Sequence, residues 1–125
     1  MPNAISAGPD SFNVTGGAQT INFGSGPNQV PLPNLLLNSA SGAVTFNLPP
    51  INTTQPVPPG TPAGVVGVGD GFELTIKNIS GNGITLQENT AAGDTKDGPS
   101  LATAGAVNQY KASATLKKWL LISAG

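Results

Sequence analysis

The chain has no cysteine and no histidine. Thiol nucleophiles, disulfides, imidazole metal sites and imidazole acid–base chemistry are therefore excluded. The missing cysteine leaves the redox compartment open. Arginine is absent too, since all five basic residues are lysines, and with it goes the planar fork that grips phosphate or carboxylate through two bonds. Charged residues make up 9% of the chain and the net charge is −1. Such a surface offers no basic patch to nucleic acid and no attraction to an anionic membrane. No apolar run reaches the length of a membrane-spanning helix. The start, Met1-Pro2-Asn3-Ala4, has neither the basic nor the apolar region of a secretion signal. No cofactor is expected. Stability has to come from burial and backbone hydrogen bonds, helped by association.

Glycine (17) and proline (12) are abundant. Between their clusters the chain alternates apolar and polar residues with the period of a β-strand. Phe72, Leu74 and Ile76 alternate with Glu73, Thr75 and Lys77, and Ile84 and Leu86 alternate with Thr85 and Gln87. Ser80-Gly81-Asn82-Gly83 between them has turn chemistry, so this pair is expected to form a β-hairpin. Phe12 to Thr15 and Gln19 to Phe23, joined at Gly16-Gly17, predict a second, smaller hairpin that must dock on the body or on a neighbouring subunit. Val44, Phe46 and Leu48 mark a half-buried strand that ends at Pro49-Pro50, because proline cannot donate to a ladder. Further strands are expected at 106–111 and 116–123. No segment has a helical period with caps. Many short strands with Gly/Pro-rich turns predict an all-β chain. The expected form is a compact antiparallel β-sandwich or jelly-roll-like barrel over 34–125, with 1–33 as an N-terminal arm or hairpin for anchoring or docking.

Two runs do not alternate: Leu35-Leu36-Leu37 and Trp119-Leu120-Leu121-Ile122. A strand apolar on both sides is covered on both faces. These seven residues are the candidates for core or for a subunit interface. The stretch 49–64 holds half of the prolines, and Pro56, Pro58, Pro59 and Pro62 mark a candidate surface-recognition loop or a plain connection.

The carboxylates are few. Asp70 and Asp97 are the candidates for hydrolytic chemistry, but a chain of this size leaves little room for a substrate cleft between them. Asp94 and Asp97 are candidates for a calcium ion held by oxygens, although their spacing is not an EF-hand and suits a turn better. Trp119, Tyr110 and Lys117-Lys118 offer a sugar-stacking platform, against the alternative that the tryptophan is core.

Several segments occur in an order that resembles the small β-modules of bacteriophage tail-fibre, head-fibre and capsid-decoration proteins. They are Ser41-Gly42-Ala43-Val44-Thr45-Phe46-Asn47-Leu48-Pro49, Gly69-Asp70-Gly71-Phe72-Glu73-Leu74-Thr75-Ile76-Lys77-Asn78, Ser80-Gly81-Asn82-Gly83-Ile84-Thr85-Leu86, Thr95-Lys96-Asp97-Gly98, Leu101, Val107, and the terminal strand with Trp119. The resemblance spans about three-quarters of the chain. It departs at Lys96, where the family has an apolar residue, and at Leu116-Lys117-Lys118, where the family has a Gly-Thr/Ser-Asn turn. It implies a non-enzymatic homotrimer on the virion. Its partners would be itself and the capsid or tail proteins, with a host-surface glycan as the alternative ligand.

Overall fold

The computed structural model describes residues 11–24, 28–56, 67–98 and 103–124, with the backbone alone for 52–56. The expected arm before Ser11, most of the proline loop and Leu101 lie outside the described residues. The chain is all-β, with eleven strands and a single 3-10 turn at Thr90–Ala92 among the described residues. The strands are β1 (Ser11–Val14), β2 (Gln19–Asn22), β3 (Leu35–Asn38), β4 (Val44–Asn47), β5 (Ile51–Pro56) and β6 (Val68–Asp70). They continue with β7 (Glu73–Asn78), β8 (Ile84–Gln87), β9 (Thr95–Lys96), β10 (Val107–Ser113) and β11 (Lys118–Ala124).

Neither expected hairpin forms. β1 and β2 do not pair with each other, and neither do β7 and β8. Instead β1, β3 and β7 lie side by side in parallel in a six-stranded sheet of order β1-β3-β7-β10-β11-β9. Their successors β2, β4 and β8 lie side by side in parallel in a three-stranded sheet. Each strand–corner–strand unit is thus one coil, and three coils stack. Six of the eight strand pairings are parallel, so the antiparallel pairing expected from the sequence is corrected. The antiparallel part is the C-terminal end, where β10 pairs with β7 and β11. β5 and β6 form a separate parallel pair at the excursion between the second and third coils.

The corners explain why the chain coils. In a hairpin, a turn returns the strand beside its predecessor. Here the corners hydrogen-bond to the corners of neighbouring coils. Ser39 N–H donates to Val14 C=O (2.8 Å) and Ser41 N–H to Gly16 C=O (2.6 Å). Ile79 and Ser80 N–H both donate to Asn38 C=O (2.9 Å each). Two fully buried asparagines reinforce this. Asn38 Nδ2 donates to Asn78 Oδ1 (3.1 Å), and Asn38 Oδ1 accepts from Ala40 N–H (3.1 Å). Asn78 Nδ2 donates to Asn82 C=O (2.8 Å), and its Oδ1 also accepts from Gly81 N–H (3.1 Å). Stacking also demands close approach: a Cβ on Gly42 would sit 2.7 Å from the Ala18 backbone nitrogen. Gly42→Ala is therefore expected to push the first two corners apart, at a cost of about 1–3 kcal/mol. Chemical denaturation of the variant checks this, and an unchanged midpoint would contradict it.

Both large sheets contribute to one core. Leu36, Leu74, Ile76, Tyr110 and Trp119 come from the six-stranded sheet, and Val44, Phe46, Ile84 and Leu86 from the three-stranded one. Val14, Phe23 and Leu32 belong to the same cluster, so the described part of the expected arm is the first coil of the body. Edge-to-face rings run from Phe12 to Phe23 (6.3 Å) and on to Phe46 (5.5 Å).

Candidate functional site

The two unbroken apolar runs split between the faces of the six-stranded sheet. Leu36 and Trp119 point inward and are fully buried. Leu121 packs against the core from a partly buried position. Leu35, Leu37 and Leu120 are half-buried on the outer face. Ile122 is 60% exposed. Alternation from the inward Trp119 and Leu121 puts Ile122 outward, and a bulge follows it, since Tyr110 faces Leu121 while Gln109 faces Ser123. Bulges bend a strand locally and re-aim its side chains.

Registers fix the order across the outer face. Leu35 on β3 stands beside Thr75 on β7, which stands beside Gln109 on β10. One row along, Glu73 on β7 pairs across to Lys111 on β10, which stands beside Leu120 on β11. The face carries Leu35 and Leu37 on β3, Glu73 and the oppositely charged Lys77 on β7, Lys111 on β10, and Lys118, Leu120 and Ile122 on β11. A depression of about 190 Å³ lies between, lined by Glu73, Thr75, Gln109, Tyr110, Lys111 and Ile122. Lys111 Nζ is 3.4 Å from Glu73 Oε2, and both side chains are about half exposed. Such a pair contributes little to stability and is available to other partners. This face is the candidate site.

The other candidates are placed as follows. Asp94 is buried; its Oδ2 accepts from Ile51 N–H (2.9 Å) and its Oδ1 has the Lys117 ammonium at 3.4 Å. Lys117 Nζ also donates to Ile51 C=O (2.7 Å). This latch ties the start of β5, the segment before β9 and the β10–β11 turn together. Asp97 pairs with Lys118 (3.5 Å), and Asp70 accepts from Ala114 N–H (2.8 Å). No group of three or more acidic side chains is placed to hold a metal among the described residues. Trp119 and Tyr110 are core residues at 0% and 2% exposure, so they form no sugar platform. Pro56 ends β5, opposite Asp70; Pro58, Pro59 and Pro62 lie outside the described residues. The sequence reading passed over Glu73, Thr75, Gln109 and Lys111 as a group. Alternation did mark Glu73 and Thr75 as outward, but only the pairing order brings β10 beside them.

Burial pushes the Tyr110 phenol above its ordinary value of 10.0, opposed in part by the bond that Asn108 Nδ2 donates to its oxygen (3.0 Å). The folded chain therefore keeps this proton to higher pH than the unfolded chain. Stability from this group is intact below about pH 10 and falls as pH rises through the folded value. With one tyrosine in the chain, phenolate absorbance reads the titration directly. It is expected above pH 10; titration at or below pH 10 in the folded protein would contradict the burial.

Compared with known proteins, the chain matches no family model, no curated protein and no solved structure.

Proposed function

We propose that the protein is a non-enzymatic structural component of a virus particle. It is a sandwich-like head-fibre, tail-fibre or capsid-decoration module that assembles as a homotrimer on the virion. The observation that carries this reading is the outer face of the six-stranded sheet. There the outward halves of both apolar runs, Leu35, Leu37, Leu120 and Ile122, stay out of the core. A chain with few charges and a small core gains stability by covering such side chains against its own copies. The stacked coils, their corners tied by buried amides, give the rigid body that a particle component needs. Capsid or tail proteins of the particle are the further partners, reached through the N-terminal residues. The competing reading is a carbohydrate- or receptor-binding module that uses the proline loop or the 88–100 loop.

Negative-stain images of the purified full chain test the proposal. Class averages with threefold symmetry are expected, together with no enrichment on a glycan array. Single-chain particles that bind a defined glycan would replace this reading with the competing one.

A further inference from the structure

Asn82-Gly83, at the corner before β8, is the one Asn-Gly pair in the chain. In such a pair the glycine nitrogen attacks the asparagine side-chain carbon, because glycine has no side chain to crowd the approach. The new bond, Gly83 N to Asn82 Cγ, closes a succinimide ring. The Asn82 Nδ2 leaves as ammonia and carries away the proton of the Gly83 amide. Water then opens the ring, at the side-chain carbonyl to give aspartate or at the main-chain carbonyl to give isoaspartate. No other reactant is needed.

The corner leaves this step open. Among the described residues the Gly83 N–H has no hydrogen-bond acceptor, although the Gly83 C=O accepts from Val44 N–H (3.0 Å). The space beside the Gly83 Cα is empty, since a Cβ built there meets nothing within 4 Å. The two buried corner amides are placed differently. Asn38 and Asn78 are fully buried, and the N–H that follows each is bonded: Ser39 donates to Val14 C=O (2.8 Å) and Ile79 to Asn38 C=O (2.9 Å).

Asn82 also ties two coils together. Its Nδ2 donates to Ala40 C=O in the corner of the second coil (2.7 Å), and its own C=O accepts from Asn78 Nδ2 (2.8 Å). Aspartate in this place sets a carboxylate oxygen against the Ala40 carbonyl, acceptor on acceptor. Isoaspartate lengthens the main chain by one carbon just before β8.

We propose that Asn82 is a self-modifying position. It deamidates in the folded chain through the Gly83 nitrogen, adds a negative charge, and unties the third corner from the second.

The purified full chain, incubated in mildly alkaline buffer and digested with trypsin, tests this by tandem mass spectrometry. The peptide 78–96 carries Asn78, Asn82 and Asn89. Asn82 is expected to convert to aspartate and isoaspartate while the other two stay amidated. Gly83→Ala, which the open space accommodates, is expected to slow the conversion several-fold. An Asn82 that stays amidated in the folded chain, under conditions where the urea-unfolded chain converts, would overturn the proposal. Conversion of Asn78 or Asn89 as fast as Asn82, or of the Gly83→Ala variant as fast as wild type, would overturn it too.

Asn82→Asp reproduces the aspartate product and tests the consequence. It is expected to lower the urea midpoint and to speed hydrogen exchange at Ile79 and Ser80, whose N–H groups cross to Asn38 C=O. A variant with the wild-type midpoint and wild-type protection at those amides would overturn the untying of the corners.

Discussion

Replacing Trp119 with alanine is expected to destabilise the protein by about 4 kcal/mol, a fall in melting temperature on the order of 15 °C. Trp119 is fully buried and sits edge-to-face on Phe72 at 6.3 Å. It comes from β11, which is joined to the coils through β10 alone on one side and to the two-residue β9 on the other. No element can move in to fill the space, because β10 is itself held by β7. Trp119→Phe is expected to lose much less. The indole N–H has no hydrogen-bond partner among the described residues, so removing it relieves a desolvation cost that offsets part of the lost packing. Urea unfolding followed by far-ultraviolet circular dichroism, at one fixed protein concentration, measures both. A loss under about 1 kcal/mol for the alanine variant would mean that the tryptophan is not a core residue.

Asn78→Ala is expected to cost about 3 kcal/mol and to act on the coils. Removing this side chain orphans the Gly81 N–H and the Asn82 C=O and leaves Asn38 Nδ2 only its longer bond to Ser80 Oγ (3.5 Å). Two of the lost bonds close the 78–82 corner on itself, and the third crosses from the second coil to the third. The crossing bond is the one that a hairpin would lack. Hydrogen exchange should show lost protection at Ile79 and Ser80, whose N–H groups bond to Asn38 C=O. An Asn78→Ala variant as stable as wild type, with those amides still protected, would contradict the amide ladder.

Much of the chain was legible residue by residue. The alternation at 44–48, 72–78 and 84–87 placed strands and their inward side chains correctly, and 106–111 and 116–123 anticipated β10 and β11. What alternation does not encode is the partner. Val44, Phe46 and Leu48 read the same in an antiparallel sheet as in a coil. The turn chemistry at Ser80-Gly81-Asn82-Gly83 was real, but glycine and asparagine serve corners as well as hairpins. A signal for coils was in the sequence. Gln19-Thr20-Ile21-Asn22, Val44-Thr45-Phe46-Asn47 and Ile84-Thr85-Leu86-Gln87 are one repeated pattern, and they stack in register as β2, β4 and β8. Internal repetition is the mark of stacked architectures. The excursion through β5 and β6 lengthens the second interval and obscures the period.

The candidate face was half legible. The unbroken runs were read as covered on both faces; within one chain Leu36 and Trp119 are covered, while Leu35, Leu37 and Leu120 are half-buried and Ile122 is exposed. They did not separate the inward Leu36 and Trp119 from the outward Leu35, Leu120 and Ile122, because an apolar run reads the same whichever of its faces the second sheet covers. The charged pair at the centre of the face joins residues 38 apart in sequence, Glu73 and Lys111. No local pattern announces it.

The sedimentation-equilibrium mass of the full chain, taken over a wide concentration range, tests the central claim most directly. Three times the chain mass, falling toward one on dilution together with lowered thermal stability, is the result expected of a module that completes itself by association. A single chain mass at every concentration, with stability unchanged, would contradict it.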